Sequence, residues 1–135
     1  MNKTLCSRYF QVSYKAAAIE AAEYGSLSLR DIIKEREIFI DGLKFMLNIF
    51  PAQFSVRVVD SVETSTIAIV IERSDDDERK WLKNFYDIDA LDLKEYDKQM
   101  KDIITYCNFK LDDIAETVSC YGNHFGASNL IVTIV

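Results

Sequence analysis

Two neighbouring stretches, Phe54-Ser55-Val56-Arg57-Val58 and Thr66-Ile67-Ala68-Ile69-Val70-Ile71, decide the fold class of this chain. In the first, apolar and polar residues alternate with period two; the second is a largely β-branched apolar run. A side chain stiff at χ1 packs well on a pleated surface, so both stretches read as strands. The short polar segment between them predicts an antiparallel hairpin.

Outward from the hairpin the period changes to that of a helix. Leu29, Ile32/Ile33, Phe39/Ile40, Leu43, Met46/Leu47 and Phe50 form a stripe that opens after Ser28, an N-cap residue, and stops at Pro51. Asp41-Gly42 is also a hairpin signal. Apolar 3–4 spacing on both sides of Gly42 favours helix, since a mid-helix glycine costs only about 1 kcal/mol. Leu5, Tyr9, Val12, Ala16 and Ile19 predict an earlier helix, continued by Ala16–Glu23 and capped at Gly25. Beyond the hairpin, Ser74 is expected to cap a third helix carrying Trp81, Leu82 and Phe85. Asp92, with Glu95 completing a capping box, opens a fourth with Leu93, Tyr96, Met100, Ile103/Ile104 and Cys107. Residues near 116–121 and Leu130–Val135 read as a second pair of strands.

The expected fold is therefore one α+β domain over residues 1–135, in ααββ–ααββ order, with a four-stranded antiparallel sheet packed with helices. Sliding the chain by 64 positions lays residues 26–71 over 90–135 with eight identities in 46 positions, including Leu27/Leu91, Leu29/Leu93, Phe45/Phe109 and Ile67/Ile131. An internal duplication with halves 1–72 and 73–135 is the corresponding expectation.

With 135 residues, 49% of them hydrophobic, and only four Gly and one Pro, the chain can bury a core without disulfides or metal. Cys6, Cys107 and Cys120 are an odd number at irregular spacing, which points to a reducing, cytoplasmic setting. The first ten residues lack the apolar stretch of roughly 7–15 residues that a secretory signal uses. No run approaches the roughly 20 apolar residues of a membrane span.

The net charge of −6 is unevenly placed. Residues 1–59 carry eight basic and six acidic side chains, residues 60–116 eight and sixteen, and residues 117–135 none of either. An acidic middle repels phosphates, so direct nucleic-acid binding is not expected. No phosphate loop, nucleophile elbow, zinc motif or dinucleotide fingerprint is present, and no cofactor, metal site or catalytic residue is assigned. Asp87-Ile88-Asp89-Ala90-Leu91-Asp92 lacks the glycine and final glutamate of a calcium loop.

The function expected from these features is an acidic protein-binding module that masks or inhibits a partner with a basic surface, in the manner of inhibitors, immunity or anti-defence proteins and chaperones. Its contact residues would be Asp75, Asp76, Asp77, Glu78, Trp81, Phe85, Tyr86, Asp87, Asp89 and Tyr96. Carboxylates would steer the partner and aromatic rings would anchor it. One alternative is a small enzyme with Cys120 as nucleophile and His124 as base beside the 122–126 turn. The other is a structural homo-oligomer: Asn129–Val135 carries no charge, and an uncharged strand invites pairing, either centrally in the sheet or with a second copy in a homodimer.

Overall fold

The computed structural model describes residues 3–73, 77–86, 93–121 and 129–135, apart from the side chains at 84, 86, 93, 94 and 119–121. Its elements are β1 (Lys3–Tyr14), α1 (Ala16–Glu23), α2 (Leu29–Met46), a 3-10 turn (Leu47–Ile49), β2 (Phe54–Ser61), β3 (Thr66–Arg73), α3 (Glu78–Tyr86), α4 (Leu93–Tyr121) and β4 (Leu130–Ile134). All strand pairs are antiparallel, in the order β2-β3-β1-β4. The α+β class and the four-stranded antiparallel sheet are as the sequence predicts.

The element order is not. It runs βααβ–βααβ rather than ααββ–ααββ. Residues 3–14, expected as helix, are β1, one of the two central strands. The helical stripe there competes with an equally good period of two: Cys6, Phe10 and Val12 are buried on one face, while Tyr9 stands exposed on the other. The second hairpin is also absent among the described residues, because α4 continues to Tyr121 and absorbs the segment expected as its first strand. Ser55 in β2 thus lies over Ser119 in α4 at the 64-residue offset, so the two stretches differ in topology. α3 begins at Glu78, with Asp77 and not Ser74 at its capping position.

Exchanging β1 with β3 and β2 with β4 leaves the strand order unchanged. Each βααβ unit sends its second strand to pair with the other unit's first. The split βαβ, ferredoxin-like topology has this arrangement, here with two helices in each crossover. Such a scaffold hosts many unrelated functions and identifies none.

The core cluster lies on one face of the sheet, although β3 is buried on both. Cys6, Phe10 and Val12 of β1, Ile67, Ile69 and Ile71 of β3, Phe54 of β2 and Leu130 of β4 meet Phe39 and Leu43 of α2 and Ile103, Cys107, Leu111 and Ile114 of α4 in one cluster. Burying each Ile or Leu contributes about 1.5–3 kcal/mol. α4 packs over β1 and β4, and α2 over β2. α2 runs through Gly42 unbroken, which settles the Asp41-Gly42 ambiguity in favour of helix. Gly25, at φ 75°, donates to the Ala22 carbonyl and ends α1 in the left-handed conformation that glycine adopts without a Cβ clash. No helix among the described residues is long and apolar enough to cross a membrane.

Candidate functional site

The residues that the sequence nominates for partner contact divide sharply. Asp77 Oδ1 accepts from the amides of Arg79 at 3.1 Å and Lys80 at 3.3 Å, occupying donors that the first turn of α3 leaves unpaired. Glu78 accepts the Tyr96 hydroxyl hydrogen bond and lies 3.7 Å from Arg73, a buried arginine at the end of β3. Burial, reinforced by the hydrogen bond and charge of Glu78, pushes the Tyr96 phenol up to about 12.

Trp81 is 2% exposed and donates its indole N–H to the Gln53 carbonyl at 3.0 Å. Its ring stacks on Phe85 at 5.2 Å, and both rings meet Phe54. Asp77 is therefore engaged in capping α3, and Glu78, Trp81 and Tyr96 in holding it to the sheet and to α4. Asp75, Asp76, Asp87 and Asp89, and the side chain of Tyr86, lie outside the described residues, as do His124 and the side chain of Cys120.

Phe85 is different. It is half-buried and, with Pro51, Asp102, Ile103 and Tyr106, lines an apolar cleft of about 250 Å³ between α3 and α4. From this cleft a stripe runs along the outward side of α4. At 3.6 residues per turn, Glu95, Lys98, Asp102, Tyr106, Phe109, Asp113 and Glu116 fall within a sector of about 80°. All seven are exposed, Tyr106 by 40% and Phe109 by 62%, and Lys98 is the one cation among them. Among the described residues none of the four carboxylates forms an ion pair within 4.0 Å. Lys110 borders the stripe with its ammonium 5.7 Å from the centre of the Tyr106 ring.

Two exposed rings among four carboxylates and Lys98, beside an apolar cleft, combine an anchor with a rim of net negative charge. Sequence reasoning missed Tyr106 and Phe109, although their signal is legible: 102, 106, 109 and 113 repeat at steps of four, three and four, opposite the apolar stripe that contains Cys107.

Other concavities carry less chemistry. A wide cleft of about 580 Å³ at the end of α2 and the β2 edge is lined by Lys44, Leu47, Phe50 and Arg57 among others. Arg57 there is already paired with the buried Glu72 at 2.5 Å. A cleft of about 300 Å³ between α1 and α2 is nearly all apolar, lined by Tyr14, Ile19, Ala22, Glu23, Leu29 and Ile32.

Among the described residues no group of three or more His, Cys, Asp or Glu side chains could hold a metal. Cys107 is fully buried in the core, where its hydrogen bond with Cys6, reinforced by burial, pushes the thiol up. It behaves as the small hydrophobe that its place on the helical stripe predicts. Comparison with protein-family models, with curated proteins and with solved structures finds no significant match.

Proposed function

We propose that the chain is a protein-binding module that masks or inhibits a partner presenting a basic surface, and that the α4 stripe is its contact face. One observation carries this reading: Tyr106 and Phe109 are exposed on the same sector of α4 as Glu95, Asp102, Asp113 and Glu116. A solvated helix face would ordinarily be polar throughout. Two large rings left in water are explained by a partner that covers them, while the carboxylates speed its approach and reject acidic competitors. Phe85, at the floor of the adjoining cleft, is the member of the sequence-nominated set that would share this contact. A basic amphipathic helix, with apolar anchors every three or four residues and Lys or Arg beside them, has the matching chemistry.

The test is titration of isotope-labelled protein with a synthetic basic amphipathic helical peptide. Amide shifts are expected to cluster at residues 102–113 and beside Phe85, and affinity is expected to fall as salt is raised. Shifts centred elsewhere, or binding untouched by Tyr106→Ala with Phe109→Ala, would overturn the assignment. Self-association is a second reading, favoured by a separate observation: β4, which bears no charge, lies at the end of the sheet. The enzyme alternative rests on Cys120 and His124 alone.

A further inference from the structure

The two edges of the sheet are not equivalent. β2 carries Arg57 and Asp60, and charges on an edge strand discourage pairing with another chain. β4 reads Leu130-Ile131-Val132-Thr133-Ile134 and has no such guard.

Its backbone directions follow from two hydrogen bonds. Val135 N–H donates to the Tyr9 carbonyl at 3.1 Å, and Lys15 N–H donates to the Asn129 carbonyl at 2.9 Å. Residues 129 and 135 therefore face β1. The β1–β4 register is unbroken, pairing Phe10 with Ile134 through to Tyr14 with Leu130. In an antiparallel ladder, facing and outward residues alternate. Ile131 and Thr133 thus bond to β1, while Leu130, Val132 and Ile134 turn their N–H and C=O groups to the edge that no strand among the described residues covers.

We infer that two copies of this chain join by antiparallel β4–β4 pairing across a twofold axis at Val132, forming one eight-stranded sheet. This rests on the self-association reading and is independent of the α4 stripe. Val132 is the middle one of the three outward residues, so this register leaves none of their groups unpaired: Val132 meets its own copy, and Leu130 meets Ile134 in both directions. The same register brings Ile134, 40% exposed, against the copy's Leu130, and Ile131, 47% exposed, beside the copy's Thr133.

Charge selects the occupant. Two copies of a chain of net charge −6 repel each other, least so where neither presents a charge, and β4 is such a place. A basic partner gains nothing from this edge and is drawn to the α4 stripe instead. The contact is isologous, so it closes at two copies.

Light scattering over a concentration series, with amide hydrogen exchange at the high end, tests this. Twice the single-chain mass is expected, with Leu130, Val132 and Ile134 amides protected alongside Ile131 and Thr133. On dilution to the single-chain mass those three should exchange at least tenfold faster, while Ile131 and Thr133 stay slow.

Val132→Pro removes an N–H that faces only the partner, and Thr133→Lys puts two like charges into the contact through an exposed side chain. Both are expected to keep the monomer's circular dichroism and to weaken the dimer at least tenfold. A single-chain mass at every concentration overturns self-association altogether. A doubled mass with Leu130, Val132 and Ile134 still exchanging rapidly, or a dimer unaffected by both variants, overturns the β4 contact while leaving self-association standing.

Discussion

Glu35 and Arg36 are neighbours on α2, and between them they hold the two opposite edges of the sheet. Glu35 accepts the backbone N–H of Asn129 at 2.8 Å and its side-chain amide at 2.9 Å, fixing the entry to β4. Arg36 places Nη1 2.5 Å from Asp60 near the end of β2. Both are buried, in a helix whose other buried residues are Ile32, Phe39 and Leu43. Glu35→Ala strands the two Asn129 donors and is expected to cost about 1–3 kcal/mol. Urea denaturation measures the loss, and faster amide exchange at β4 than at β2 would localise it.

Glu78 and Trp81 are assigned to stability rather than to partner contact. Glu78→Ala removes the carboxylate beside the buried Arg73 and the acceptor of the Tyr96 hydroxyl. Because Glu78 is partly solvated, the expected cost is about 1–3 kcal/mol, below that of a fully buried pair. Trp81→Ala, which opens a cavity among Phe54 and Phe85, is expected to cost about 3–5 kcal/mol. Peptide affinity measured on the folded fraction should change little in Glu78→Ala; a large loss there would return Glu78 to the contact face.

The Tyr96 phenol gives the chain an alkaline signature. Its folded pKa, raised to about 12, exceeds the ordinary value of 10.0, so the folded state binds the proton more tightly than the unfolded state. The stability this contributes is fully present below pH 10 and is lost as pH rises from about 10 to about 12. Tyr96→Phe should flatten that part of a stability–pH profile; an identical slope in both proteins would show that the hydroxyl plays no such part.

Phe109 and Tyr106 are exposed, so removing them should spare the fold. Phe109→Ser is expected to move stability by no more than about 0.5 kcal/mol. The same change should weaken binding of a basic helical peptide by about tenfold or more, the mark of an anchoring ring. Thermal melts and titration calorimetry separate the two effects.

Cys6 and Cys107 are both buried and unbridged. Two of the three thiols should therefore react with a thiol reagent only as fast as the protein opens, and urea should accelerate them. The third, Cys120, discriminates between functions: reaction at neutral pH far faster than a free thiol would favour the enzyme alternative over the binding module.

The local pattern already contains the hairpin of β2 and β3, the run of α2 through Gly42, the cap at Gly25 and the core position of Cys107. Each depends on neighbours a few residues away, where period and capping chemistry act directly. The N-terminal segment misleads because Leu5, Tyr9 and Val12 satisfy a helical period while Cys6, Phe10 and Val12 satisfy a strand period. Only the arrival of Ile67, Ile69 and Ile71 from β3 breaks the tie. The end of α4 misleads for a related reason: Ile114, Ala115 and Val118 sit on the core side of a helix, where packing against the sheet outweighs the strand propensity of Thr117 and Val118. The contact face divides in the same way. Net negative charge and a population of aromatics are properties of composition. Which rings point to water, and which carboxylates are spent on Arg73 and the first turn of α3, was decided by tertiary structure, because burial depends on what the rest of the chain places opposite each side chain.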